Sequence, residues 1–150
     1  MKDDLRLVPV DIGNAEEVAM VVELVQKNYP EKPYPFTVEK LRDPSRIFFK
    51  AYLGPELVGL TGIDFKTPTL AETIKTIVRV EHRGKNLGVR LSQAIEDECR
   101  KRGVKKIMST IYADNHAMIS IKLKQGYNIE GFHPDHEAPG FHEYSLGKKI

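Results

Sequence analysis

Apolar and polar positions alternate in some stretches of this chain and recur every three or four residues in others. The two spacings divide it into strands and helices. Leu5 to Val10 reads as a short strand. Asn14 followed by Glu17 resembles a capping box, and Val18, Val21, Val22 and Val25 then share one helical face. That helix is expected to fail at Tyr29-Pro30, since proline disfavours helical geometry in its predecessor and donates no N–H. Pro30 to Phe36, with three prolines and two aromatics, reads as a stiff loop, and Thr37 to Arg42 as a short helix capped by Thr37.

Arg46 to Leu53 and Glu56 to Phe65 read as the strands of a hairpin turning at Gly54-Pro55. Leu70 to Val80 reads as a third strand, with Ile74, Thr76 and Val78 on one face by the two-residue period. Leu87, Leu91, Ala94, Ile95 and Cys99 form a helical stripe that stops before Gly103. Lys106 to Tyr112 is a strand, Asn115 to Gln125 a helix stopped by Gly126, Tyr127 to Phe132 a strand, and His142 to Leu146 a last one. This order predicts an α/β (α+β) fold on a mixed sheet, with a crossover unit in its second half.

Composition narrows the class. The 150 residues suit one domain, 1–150, and 41% hydrophobic with 29% charged residues is ordinary for a globular protein. A formal net charge of +2 is too mild to argue for nucleic acid, and Arg100 to Lys106 and Lys148-Lys149 read as solvated helix and chain ends. Cys99 is the single cysteine, so no intramolecular disulfide and no cysteine-rich zinc site is expected. Met1 to Leu5 lacks an apolar signal core, and no stretch is long and apolar enough to span a bilayer. The expectation is a soluble, cytoplasmic protein with no nucleic-acid or membrane partner.

The most informative chemistry lies at one strand-to-helix junction, Thr76 to Gly88. The first turn of a helix has backbone N–H groups without intrahelical partners, and its dipole is positive there, so it suits phosphates. Gly84 and Gly88 keep side chains away from that backbone, Asn86 tolerates left-handed geometry, and Arg83 and Lys85 add positive charge. Taken alone, Arg-Gly-x-x-x-Gly also fits a plain tight turn. A Walker loop is excluded by the missing Gly-Lys-Ser/Thr, and a dinucleotide fingerprint is disfavoured by the mid-chain position.

In sequence, Glu81, Gly84, Asn86 and Gly88 resemble the cofactor motif of the GNAT superfamily of N-acetyltransferases, Gln/Arg-x-x-Gly-x-Gly/Ala, with Asn86 in place of the second glycine. Asp114-Asn115-His116-Ala117-Met118 running to Gly126-Tyr127 resembles the family's Asn-x-x-Ala/Met helix. The resemblance implies a mostly antiparallel central sheet flanked by helices, and acetyl-coenzyme A as co-substrate with an amine acceptor. It implies that Val78, Arg79, Val80, Arg83, Gly84, Lys85, Asn86, Leu87, Gly88 and Asn115 contact the cofactor, Asn115 also serving as a plain N-cap.

Acyl transfer to an amine needs a base, a donor for the oxyanion and an exit for the thiolate. Glu72 stands where the family often places a basic glutamate, six residues before Val78 and on the same face by parity; Asp64 is the reserve. Lys122 occupies the position where many members carry a tyrosine acid, seven residues after Asn115, and as a residue it also reads as a solvated helix lysine. His133, Asp135, His136 and His142 are zinc-ligand types, but their turn-rich segment fixes no geometry, and no metal is expected. Phe132 to Tyr144 is expected to wall the acceptor pocket, facing Tyr29 to Phe36. A non-catalytic acyl-CoA-binding module is the competing function, and homodimerisation through the C-terminal strands is left open.

Overall fold

The computed structural model of the protein describes residues 4–28 and 34–150. Most of the stiff loop expected from Pro30, and the break expected at Tyr29-Pro30, lie outside them. Seven strands form one sheet: β1 Leu5–Pro9, β2 Arg46–Leu53, β3 Glu56–Phe65, β4 Leu70–Val78, β5 Lys106–Tyr112, β6 Asn128–His133 and β7 Glu143–Lys149, in the order β1-β2-β3-β4-β5-β7-β6. Every pairing is antiparallel except β4 with β5, which is parallel and joined by a crossover helix. The sheet is therefore mixed and mostly antiparallel, as expected, with β7 inserted between β5 and β6.

The helices are α1 Ala15–Asn28, α2 Val38–Leu41, α3 Leu87–Lys101 and α4 His116–Lys124. Asn14 caps α1 by accepting from the Glu17 amide at 3.1 Å. Its capping box does not close: the Glu17 carboxylate takes the Asp11 amide at 3.2 Å and the Lys50 ammonium, and the Asn14 amide goes to the Asp11 carbonyl. Thr37 caps α2 as expected. α1 and α2 cover one face of the sheet over Phe48, Leu60 and Ile77. α3 covers the other over Phe49, Ile63, Ala71 and Ile107. Each fully buried aliphatic side chain in these layers stabilises by about 1.5–3 kcal/mol. Among the described residues no helix is long and apolar enough to cross a membrane.

β4 departs from a regular strand in two ways. Leu60 pairs with Ile77 but Gly62 pairs with Ile74, so two β4 residues oppose one on β3, and Lys75 takes φ +50°. This bulge flips the side-chain parity. Glu72, Ile74 and Ile77 face α1 and α2, whereas Val78, opposite Gly59, faces α3. The expected common face of Ile74, Thr76 and Val78, and of Glu72 and Val78, is thus corrected, because the two-residue period holds only within an unbroken ladder.

The second departure is a parting of strands. β4 and β5 pair only at Leu70–Lys106, Ala71–Ile107 and Glu72–Met108. Beyond Glu72, β4 stays with β3 as far as Val78, and β5 stays with β7 as far as Tyr112. The middle of the sheet opens between them.

Candidate active site

At the mouth of this opening β4 stops at Val78, earlier than the expected Val80, and a short 3-10 helix, Val80–His82, leads into the loop before α3. Gly84 takes φ +83° and Asn86 takes φ +60°, both left-handed, the first easy for glycine and the second tolerable for asparagine. Asn14, Thr37 and Asn115 cap the other helices with their side chains, but Asn86 makes no such bond. The α3 ladder begins with the Arg90 amide on the Asn86 carbonyl at 3.2 Å, leaving the amides of Leu87, Gly88 and Val89 without intrahelical acceptors. A Cβ on Gly84 would meet nothing within 4 Å, whereas one on Gly88 would lie 3.4 Å from Ile121 Cδ1. Gly84 therefore leaves room over a positive helix end, and Gly88 lets α3 approach α4. These donors and this space fit a pyrophosphate.

Arg83 is a strut in this structure. Its Nε donates to the Val78 carbonyl at 3.2 Å and its Nη2 to the Asn28 carbonyl at 2.6 Å. Asn28, buried at the end of α1, accepts the Val80 amide at 3.0 Å and donates to the Leu24 carbonyl at 2.9 Å. The end of α1 is clamped to the loop. Asn28→Ala is expected to destabilise the fold by about 1–3 kcal/mol in chemical denaturation, because the Val80 amide loses its acceptor.

A cleft of about 850 Å³ runs from this loop into the parting. Thr76, Ile77 and Val78 form one wall, Tyr112 to Asn115 the other, with Arg83, Gly84, Asn86, Leu87 and Gly88 at the loop end. Met118 and Ile121 of α4 and Phe141 complete it. Asn115 accepts the Met118 amide at 3.2 Å, so it is an N-cap that also lines the cleft. Of the residues expected at the cofactor, Arg79, Val80 and Lys85 do not line this wall. The Arg79 amide goes to the Val58 carbonyl, and the Val80 amide is held by Asn28.

A second cavity, of about 430 Å³, adjoins the cleft where Thr76, Tyr112, Asn115 and Met118 line both. Glu72 stands in it, opposite Met108, at the point where the strands part. Burial lifts its carboxyl above the ordinary value of 4.5, with Asp64 adding to the rise and Lys66 opposing it. Asp64 itself is occupied by Arg46 at 3.3 Å and Lys66 at 3.1 Å, an ion-pair role. His136, Glu137 and Glu143 line the cavity from the expected C-terminal wall, and Tyr34 faces them. Lys40 and Lys75 were not singled out from sequence, and Glu137 and Glu143 only as part of the expected Phe132 to Tyr144 wall; no local pattern links the two lysines to it.

Lys122 is not a solvated helix lysine: it is 1% exposed. It borders the smaller cavity, and its Nζ donates to Ser92 Oγ at 2.7 Å and lies 4.8 Å from the centre of the Tyr127 ring. Ser92 donates to Gln125, and Gln125 donates to the Val89 carbonyl, so the chain of bonds ends in the first turn of α3. Burial pushes the Lys122 pKa down to about 8 from 10.5, against the attraction of Glu96 and with Lys148 adding to the fall. Unfolded chains hold this proton up to the higher value, so between the two the unfolded state binds more protons and stability rises with pH. Cys99, pushed up to about 11 from 9.0 by burial, acts in the opposite sense. Comparison with Lys122→Met isolates the lysine: the stability of the variant relative to wild type is expected to fall by up to about 3 kcal/mol from pH 7 to pH 10 in urea unfolding.

The histidine segment makes protein contacts. His133 Nε2 and Ser145 Oγ are 3.0 Å apart, and His142 Nδ1 accepts the Asp135 amide. Among the described residues no group of three His, Cys, Asp or Glu side chains is placed to hold a metal ion.

The chain that builds these parted strands, this uncapped helix end and these two adjoining cavities belongs to the Acetyltransferase (GNAT) family, whose model matches residues 17–127. It is similar to the L-methionine sulfoximine/L-methionine sulfone acetyltransferase of Pseudomonas aeruginosa, 37% identical over 57 residues, 38% of this chain and 33% of the relative. The match thus spans about a third of the length of that curated relative. Its fold is that of the ribosomal-protein-S18-alanine N-acetyltransferase from Escherichia coli, TM-score 0.80 at 14% identity, covering 98% of this chain and 94% of the other. The fold is also that of an aminoglycoside 6'-N-acetyltransferase complexed with coenzyme A, TM-score 0.74 at 22% identity, covering 96% of both chains.

Proposed function

We propose that the protein transfers the acetyl group of acetyl-coenzyme A directly to a primary amine of a small molecule or peptide. The observation that carries this reading is the opening of the sheet beyond Glu72, which leads from the uncapped end of α3 into a second cavity holding a carboxylate. The free amides of Leu87, Gly88 and Val89 and the space over Gly84 would hold the pyrophosphate. Val78, Asn115 and the bulge at Lys75 and Thr76 would border the pantetheine. Acetyl-coenzyme A, when bound, supplies an activated thioester.

Glu72 takes the proton that the amine gives up as its nitrogen bonds to the acyl carbon; a carboxyl raised by burial is better matched to that task near neutral pH. Glu72 approaches the opening from the α1–α2 side and Lys122 from the α3 side. Because its Nζ is committed to Ser92, Lys122 is assigned a positioning role holding α4 to the first turn of α3, and the thiolate takes its proton from solvent.

Incubation with acetyl-coenzyme A and a broad amine panel should release free thiol and acetylated amine. Binding without turnover across that panel would favour a non-catalytic acyl-CoA-binding module instead. Three of the five cations from Arg100 to Lys106 are engaged within the fold: Arg100 on Glu96 and Asp97, Arg102 on Glu98, Lys106 on Glu130. We place the protein in the cytosol without a membrane or nucleic-acid partner. Any pairing of two copies belongs at the free edge of β6, where Ile129 and Phe132 are exposed.

A further inference from the structure

The smaller cavity is charged with both signs, and an acceptor that was only an amine would meet half of it. One sign comes from Glu72 on β4, Glu143 at the start of β7 and Glu137 in the segment before it. Glu143 is buried, 4% exposed, and pairs with Tyr112 in the β5–β7 ladder, on the same face of the sheet as Glu72. Glu137 accepts from the Tyr112 hydroxyl. The other sign comes from Lys75 in the β4 bulge and Lys40 on α2. Lys75 Nζ lies 5.8 Å from the centre of the Phe36 ring, and Lys40 Nζ donates to the Pro35 carbonyl at 3.1 Å. Arg46, also on this wall, is held by Asp64 and Asp43.

Lys75 is the residue that gives this arrangement its meaning. A left-handed φ of +50° disfavours a residue with a Cβ, by about 1–3 kcal/mol where it persists, and glycine or asparagine would take the bulge more easily. Burial and the nearby positive charge of Lys40 further disfavour its ammonium, while Glu137 and Glu143 support it. A bulge re-aims a side chain, and here it sets a cation on the cavity wall three residues beyond the candidate base.

We propose that the acetyl acceptor is an amino-acid-like molecule with an anionic group beside its amine, the amine lying toward Glu72, Glu137 and Glu143 and the anion toward Lys75 and Lys40. This rests on the acetyl-transfer reading and names its acceptor class. A polycationic acceptor would set its further positive charges against Lys75 and Lys40, a repulsion that selects against it. An acceptor without an anion would gain nothing from the cationic side of the cavity.

The test compares kcat/KM at saturating acetyl-coenzyme A for the common α-amino acids, their carboxamides, the matching decarboxylated amines and spermidine. The expected result is at least one amino acid preferred over its carboxamide and its amine by about ten- to a hundredfold, mainly through KM. Lys75→Met is expected to narrow that ratio to within about threefold and Lys75→Arg to keep most of it, with Lys40→Met lowering it in part. Carboxamides, amines or spermidine used as well as the acids would overturn the proposal, as would a preference that survives Lys75→Met combined with Lys40→Met. Failure of every acceptor in these sets would overturn it too. Acetyl-coenzyme A affinity and thiol release with peptide N-termini, followed in parallel, show whether the transfer reading falls with it: binding and peptide turnover would sink the acceptor class alone.

Discussion

Glu72→Gln is expected to lower kcat for acetyl transfer by about a hundredfold to ten-thousandfold, with little change in the affinity for acetyl-coenzyme A. The side chain stands at the last β4–β5 pair before the strands part, in the smaller cavity and away from the α3 terminus. Glutamine keeps the shape and the contact with Thr110 but cannot accept the amine proton. The pH dependence separates loss of a base from a packing change. Burial raises the Glu72 carboxyl above 4.5, so wild-type kcat/KM should fall on the acid side as the carboxylate takes up a proton at a value higher than an exposed glutamate shows. In the variant that acid limb should disappear. An unchanged limb would assign it to another group, with Glu143, also raised by burial, the first to examine.

The second large effect concerns binding. Gly84→Asp is expected to weaken coenzyme A binding by about a hundredfold or more in calorimetry, while the protein remains folded. Beyond its chain neighbours, no atom of the described residues lies within 4 Å of the position a Cβ would take, so there is room for the substitution. It does introduce strain, since φ is +83°, at about 1–2 kcal/mol. The added carboxylate would sit near the positive first turn of α3, where it would compete for the helix-end donors and repel a bound phosphate. Gly84→Ala carries the strain without the charge, and its smaller loss would separate the two contributions. Wild-type affinity in Gly84→Asp would mean that the pyrophosphate lies elsewhere.

Much of this architecture could be read from local pattern. The bounds of β2, β3 and β5 follow from apolar alternation ended by turn residues, and the Thr37 and Asn115 caps from side chains that satisfy first-turn amides. The left-handed turn at Gly84 and Asn86 was legible for a related reason, since glycine and asparagine are the residues that take this backbone geometry most easily. The bulge was not, because Lys75 holds a left-handed conformation that its side chain gives no hint of, and the parity of Glu72 against Val78 failed with it. Lys122 misled because a lysine on a short helix is usually solvated, and the serine that holds it lies thirty residues away. Arg83 lines the cleft but also braces Asn28, a contact spanning 55 positions that no local pattern announces. The smaller cavity was the least legible: Phe132 to Tyr144, which holds Glu137 and Glu143, was expected to wall a pocket, but Lys40 and Lys75 join it only through the tertiary fold.

Coenzyme A is expected to enter the parting of β4 and β5 with its pyrophosphate on the first turn of α3 and its thioester toward the cavity that holds Glu72. A backbone amide NMR titration with coenzyme A tests it directly. The largest shifts are expected at Gly84, Leu87, Gly88 and Val89, with further shifts from Thr76 to Val78 and at Ala113 to Asn115, the residues that line the cleft. Little change is expected at β1 or along β6. Saturable binding that moved other amides and left Gly84 to Val89 in place would contradict it.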